Sequence, residues 1–209
     1  MKLLLTSAGI MNKSLVSALK ELVKGEIRTA FIPTAANVEE GDKSWLIKDY
    51  AEFQKLGEID IVDISALDKA TWLPRLKKAN VLVFGGGNAA HLMRWIVKSG
   101  FKEELPSLLK DHVYVGISAG SIVVSERLSA SSEFLYGDEH ADDPPGLGYI
   151  DFNIRPHLNS PYFPKITDKN LEEVSKKLDG DLYALDDNSA VLYVDGKIKV
   201  ISEGKWKKY

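Results

Sequence analysis

The pentapeptide Gly116-Ile117-Ser118-Ala119-Gly120 places a serine between two glycines at the G-x-S-x-G spacing of a nucleophile elbow. A serine on a sharp strand-to-helix turn is held in strained backbone geometry with its hydroxyl exposed. Small residues two before and two after it let the turn close without clashes. The helix that starts there adds free N–H groups and the positive end of a dipole. As a bare pattern it is weak, because roughly one chain in fifteen of this length carries it by chance at ordinary Gly and Ser frequencies. Context gives it weight: the apolar run Val113–Ile117 precedes it and a helical stretch follows. The chemistry expected is acyl transfer with Ser118 as nucleophile. The plainer alternative is a glycine-rich turn whose serine only caps the helix.

A second loop, Gly85-Gly86-Gly87-Asn88, follows the apolar run Val81–Phe84 and opens another helix. Three glycines leave backbone N–H groups unshielded. Gly86 or Gly87, together with the N–H of Ala119, are therefore candidate oxyanion-hole donors. A phosphate-binding loop is the rival reading. Against it, Ala90 stands where G-x-G-x-x-G needs its third glycine, and no Lys-Ser/Thr follows as in a P-loop. A tight turn capped by Asn88 is compatible with either function.

Four histidines compete for the role of base. His112 precedes the last strand of the series, at the end opposite the elbow, and reads as structural. His91 lies in the first turn after the glycine loop, and His140 in the acidic stretch 138–143. His157, in Arg155-Pro156-His157-Leu158-Asn159, follows the serine in a late loop, as in the Ser, acid, His order of many α/β hydrolases. In that order the acid lies between Ser118 and His157. Glu126, Glu133, Asp138, Glu139, Asp142, Asp143 and Asp151 all lie there, and spacing does not choose among them. Those acids show no known metal-ligand spacing, so no metal site is expected.

Positioning these groups falls to alternating elements. Lys2–Thr6, Arg28–Ile32, Ile59–Ile64, Val81–Phe84 and Val113–Ile117 read as strands. Helical stretches at Asn12–Val23, Asp42–Leu56, Asp68–Lys78, Asn88–Lys98 and Lys102–Lys110 separate them. Short apolar strands alternating with helices imply a parallel sheet covered on both faces, with ligands at the carboxyl ends of the strands. Both glycine loops fall at such ends. Leu128–Pro156 reads as loops and short antiparallel pieces, and Leu171–Leu178 as a last helix. Leu182–Leu185, Ala190–Val194 and Ile198–Ser202 read as closing strands, with a hairpin turn at Asp195-Gly196. The fold class expected is an α/β parallel-sheet three-layer sandwich, flavodoxin-like or class I glutamine amidotransferase-like, in a single domain over residues 1–209.

Composition narrows the functional classes. The chain has 209 residues, 44% of them hydrophobic and 27% charged, enough for a sizeable core. It has no cysteine, which excludes disulfides, Cys-ligated zinc and thiol catalysis and suits a reducing compartment. A formal net charge of −3 with dispersed Lys and Arg argues against nucleic-acid or anionic-membrane partners. The basic cluster Lys205, Lys207 and Lys208 reads as a solvated tail. Leu3–Leu5 is too short for the h-region of a signal peptide, so a cytoplasmic protein is expected.

Val83-Phe84-Gly85-Gly86-Gly87-Asn88, then Gly116-Ile117-Ser118-Ala119-Gly120-Ser121, then Pro156-His157, in this order, resemble the peptidase E family. These are serine dipeptidases of the S51 class, related to cyanophycinases. Their fold is similar to the class I glutamine amidotransferase domain with serine in place of cysteine. The likeness spans roughly residues 1 to 200. It implies Ser118 as nucleophile, His157 as base and Glu133, about fifteen residues after the serine, as the third triad member. It also implies an oxyanion hole at Gly86 or Gly87 with Ala119, and cleavage of dipeptides with N-terminal aspartate. Peptidase E proper carries an arginine after the histidine; here the corresponding stretch holds Lys165 and Lys169, point charges rather than a bidentate fork. Those lysines and Asn88 are the expected substrate contacts. The implied reaction needs no cofactor, its partner is a small peptide, and a homodimer is compatible. An esterase on the same residues and a phosphate-binding protein using the glycine loop are the alternative functions.

Overall fold

Leu3, Leu4 and Leu5 are fully buried because their strand lies inside a sheet covered on both faces. The computed structural model describes residues 1–128, 130–136 and 144–209, with the side chains of Ala130, Ser131 and Glu133 outside that description. Among the described residues ten strands run in chain order. They are β1 (Lys2–Thr6), β2 (Ile27–Ile32), β3 (Gly57–Ile61), β4 (Val81–Phe84), β5 (Val113–Ile117), β6 (Asn153–Arg155), β7 (Leu182–Leu185), β8 (Ser189–Val194), β9 (Lys197–Ser202) and β10 (Trp206–Lys208). Seven of them form one sheet in the order β3-β2-β4-β5-β1-β8-β9. The first five are parallel, and β8 and β9 continue the sheet antiparallel beside β1.

Helices α1 (Lys13–Leu22) and α2 (Ser44–Gln54) cover one face. Leu15, Leu19 and Phe53 pack there on Leu4, Phe31, Val83 and Val115. Helices α3 (Lys69–Lys78), α4 (Ala89–Lys98) and α5 (Phe101–Leu108) cover the other. Trp72, Leu92, Ile96, Phe101 and Leu105 meet Leu3, Leu5, Leu82, Phe84 and Tyr114 there. Side chains alternate across a strand, so both faces of each apolar run are used. Caps set the helix starts: the side chains of Asn12, Asp68 and Asn88 accept from the amides of Leu15, Thr71 and His91. Asp42, expected as the cap of the second helix, lies one residue ahead of the cap position, which Lys43 takes, and its carboxylate accepts from the amide of Ser44 at 2.8 Å.

The remaining helices are α6 (Ala119–Ile122), α7 (Ala130–Tyr136) and α8 (Asp168–Ser175). Three expectations change in this part of the chain. The run Leu182–Leu185 does not join the main sheet; as β7 it pairs parallel with β6 and antiparallel with β10 in a small second sheet. Its Leu182 and Ala184 close a separate core with Leu158, Ile166, Leu171 and Val174, while Tyr183 and Leu185 face the main core. The C-terminal basic cluster is exposed but is not a tail: Lys207 and Lys208 lie in β10, Lys205 just before it, and Lys208 pairs with Asp181 at 2.7 Å. The stretch read as loops and antiparallel pieces contributes α7 and a strand with a parallel partner, β6. Among the described residues no helix is long and apolar enough to cross a membrane.

Candidate active site

Ser118 ends β5 and caps α6 with φ 48° and ψ −104°, a conformation that L-residues avoid. The flanking glycines show why the backbone closes there. A Cβ on Gly116 would lie 2.6 Å from the carbonyl oxygen of Gly120, and one on Gly120 would lie 2.0 Å from that of Phe84. The strain at Ser118 is carried by backbone bonds on both sides: its N–H donates to Thr6 O, and its carbonyl accepts from Ser121 and Ile122. The hydroxyl is thereby presented at the carboxyl edge of the sheet.

His157 reaches the same point from the small sheet. It follows β6 and Pro156 with φ 67°. Its backbone N–H donates to Ser7 Oγ at 2.8 Å, and the next amide, Leu158, donates to Leu185 O at 2.9 Å. The imidazole Nε2 lies 2.9 Å from Ser118 Oγ, and Nδ1 lies 2.7 Å from Asp187 Oδ1. With Asp187 ionised, Nδ1 carries the proton and Nε2 is left to accept from the serine. The ring of Phe163 stacks on the imidazole at 4.3 Å between centroids and 9° between planes.

Asp187 sits in the turn from β7 to β8. The neighbouring Asp186 builds that turn: its carboxylate accepts from the amides of Asn188 and Lys205 and from the Ser189 hydroxyl. Asp187 also accepts from Ser7 Oγ at 3.0 Å. The hydrogen bond from His157 holds its carboxyl below the usual range, against the opposing effect of partial burial.

On the other side of Ser118, the Gly85 N–H donates to Ile32 O and the Asn88 N–H to Ala35 O. Between them, the N–H groups of Gly86 and Gly87 make no hydrogen bond to another described residue, and neither does that of Ala119. Gly87 has φ +124°, and a Cβ there would lie 2.4 Å from Ala35 O. A Cβ on Gly86 would lie 3.6 Å from Ser118 Cβ, so the unused amides stand beside Ser118. This combination of an exposed hydroxyl, a bonded imidazole and idle amides can perform acyl transfer.

The structure brings together Ser118, His157, Gly86, Gly87 and Ala119. The carboxylate on His157 is Asp187, thirty residues beyond the histidine. Glu133, expected in that role, lies on α7, and its side chain is outside the described residues. His140 and the acids 138–143 are likewise outside the described residues. His112 bonds Leu108 O and Leu76 O through its two ring nitrogens, a structural role. His91 packs edge-on against Trp95, and burial and Arg94 push its pKa down. Asn88 Oδ1 is used in capping α4. Lys165 lies with its ammonium 5.0 Å from the Tyr136 ring centroid, and Lys169 is exposed on α8. Two residues escaped the reading, Asp187 and Ser7. Each lies in a turn next to a strand end at the carboxyl edge, where both glycine loops also lie.

A family model of peptidase family S51 matches residues 3–201. The chain belongs to peptidase family S51. An uncharacterized peptidase of Listeria innocua is 28% identical over 180 residues, covering 80% of this chain and 81% of the relative. Peptidase E of a Nostoc species is 25% identical over 181 residues, covering 83% and 72%. Among solved structures, a Listeria monocytogenes protein described as a peptidase E superposes with a TM-score of 0.79 at 22% identity, covering 97% and 98% of the two chains. A peptidase from an acI-B1 Actinobacterium superposes at 0.75 and 19% identity, covering 98% and 88%. The S51 chain is thus a peptidase with the mixed α/β fold of these structures.

Proposed function

We propose that this S51 peptidase is a serine peptidase of small peptides that works through an acyl-enzyme on Ser118. The observation that carries the reading is the continuous chain from Ser118 Oγ to His157 Nε2 at 2.9 Å and from Nδ1 to Asp187 at 2.7 Å. His157 takes the serine proton as Ser118 attacks the scissile carbonyl, and Asp187 orients the imidazole and stabilises its cation. The amides of Ala119 and of Gly86 or Gly87 receive the oxyanion; one such donor is worth about 10²–10³ in turnover. His157 then protonates the leaving amine, and water, activated by the same imidazole, releases the acyl group. Small peptides are the substrate class because relatives in the family carry the name peptidase E. A cytoplasmic setting fits a chain without cysteine.

The test is a fluorophosphonate probe followed by peptide mapping, together with dipeptide hydrolysis. We expect the label on Ser118, and Ser118→Ala to lose both labelling and turnover while melting at the same temperature as the parent. Turnover retained in Ser118→Ala removes the serine mechanism.

A further inference from the structure

Two aromatic side chains from different elements flank the groups around Ser118, one at Gly86 and one on His157, and the proposed mechanism uses neither. Trp45, in the first turn of α2, lies over Gly86: a Cβ on that glycine would be 3.5 Å from Trp45 Cζ3 and 3.6 Å from Ser118 Cβ. Phe163 covers one face of the His157 ring. Both are partly exposed, Trp45 at 36% and Phe163 at 37%, so neither is consumed by the core. Aromatic rings half open to solvent beside a reactive group offer apolar area that a ligand can cover.

The loop that carries Phe163 is built to stay in place. The amides of Ser160, Phe163 and Ile166 donate to the carbonyls of His157, Ser160 and Phe163, and Asn159 N–H closes the loop on Ile166 O at 2.7 Å. Ile166 and Leu158 anchor it in the small core beneath. Phe163 is therefore a fixed wall, and the neighbouring Tyr162, 86% exposed, extends the aromatic surface outward.

The charges nearby do not suit an acidic substrate side chain. Asp187 is held ionised by His157. Among the described residues no lysine or arginine is hydrogen-bonded to Ser118, His157 or Asp187. Lys165 lies over Tyr136, and Arg155 is buried with Nη1 on Ser132 and its guanidinium near the same ring. A carboxylate brought here would lose water and meet the like charge of Asp187.

We propose that Trp45 and Phe163 are the two walls of the substrate cleft and that they select peptides whose attacked residue is apolar or aromatic rather than aspartate. This rests on the serine-peptidase reading above and names its substrate class. The experiment measures kcat/KM for Phe-Leu, Leu-Leu, Asp-Leu and Lys-Leu, with p-nitrophenyl acetate and the fluorophosphonate as reporters of the hydrolytic machinery. The expected result is at least a 10-fold preference for Phe-Leu over Asp-Leu. Trp45→Ala should reduce that ratio by roughly 10-fold or more, chiefly through KM, and Trp45→Phe should restore most of it. Phe163→Leu should lower the Phe-Leu to Leu-Leu ratio. Ester hydrolysis and labelling combined with a preference for Asp-Leu overturn the selectivity and spare the mechanism. A Phe-Leu preference that survives Trp45→Ala overturns the assignment of the wall. Failure of labelling and of all hydrolysis overturns the mechanism and this inference with it.

Discussion

Ser7 and His157, 150 positions apart in sequence, share a hydrogen bond in which the histidine backbone N–H donates to the serine Oγ at 2.8 Å. The same hydroxyl donates to Asp187 at 3.0 Å. One side chain at the end of β1 thus fixes both the backbone of His157 and the carboxylate bonded to its imidazole. Changing Ser7 to Ala removes both contacts and leaves the His157 amide without its partner. A net loss of about 1–1.5 kcal/mol in transition-state alignment corresponds to roughly a 10-fold drop in kcat. Steady-state kinetics with KM little changed is the expected readout; an unchanged kcat assigns Ser7 to packing alone.

Asp187→Asn is expected to cut kcat by about 10³–10⁴ at neutral pH, because an amide no longer dictates the tautomer that leaves Nε2 free to accept. Glu133→Gln is expected to stay within a few-fold of the parent. Paired kinetics on these two variants decide which carboxylate serves His157, and the opposite ranking would return the role to α7.

The glycine after the elbow is a packing requirement with a steep penalty. A Cβ on Gly120 would lie 2.0 Å from the Phe84 carbonyl oxygen, which is backbone inside the sheet and cannot move aside. Gly120→Ala should therefore destabilise the protein by more than about 3 kcal/mol or prevent its soluble expression. Denaturant unfolding measures this directly, and a variant as stable as the parent would mean that β4 and the elbow are further apart.

Asp49 on α2 is buried at 8% exposure against Gly9 and Ile117, and burial pushes its pKa up to about 7. Its folded-state value lies above its unfolded one, so the associated stability is full below about pH 4. It declines as pH rises and has gone above about pH 7. A shift from 3.8 to about 7 corresponds to about 4 kcal/mol across that window. Asp49→Asn should flatten this part of the stability profile and raise the melting temperature at pH 8 relative to the parent. Parallel profiles for the two proteins between pH 5 and pH 8 would show that Asp49 titrates normally.

The five parallel strands, the two glycine loops and the serine were legible in the sequence because their signals are local. A run such as Val81–Phe84 must be buried on both faces, and a serine between glycines after such a run marks a turn at the sheet's edge. Both oxyanion candidates follow from the same rule. His157 was legible by its place in the chain and by the family resemblance. The sequence by itself thus determined the parallel core, the sharp turn that presents Ser118 and the edge of the sheet at which both glycine loops lie.

Only the tertiary structure decided which acid meets the imidazole. Asp187 lies on the far side of His157 in sequence, one of several acids with nothing local to mark it. It arrives at Nδ1 because β7 leaves the main sheet, pairs with β6, and turns at Asp186 to re-enter the main sheet as β8 beside β1. That path depends on strand pairings between distant residues, from 29 positions apart (Asn153 with Leu182) to 192 (Lys2 with Val194), set by which faces bury Leu182 and Leu185. The aromatic neighbours are non-local for the same reason: Trp45 and Phe163 belong to different elements, and packing alone brings one to Gly86 and the other to His157.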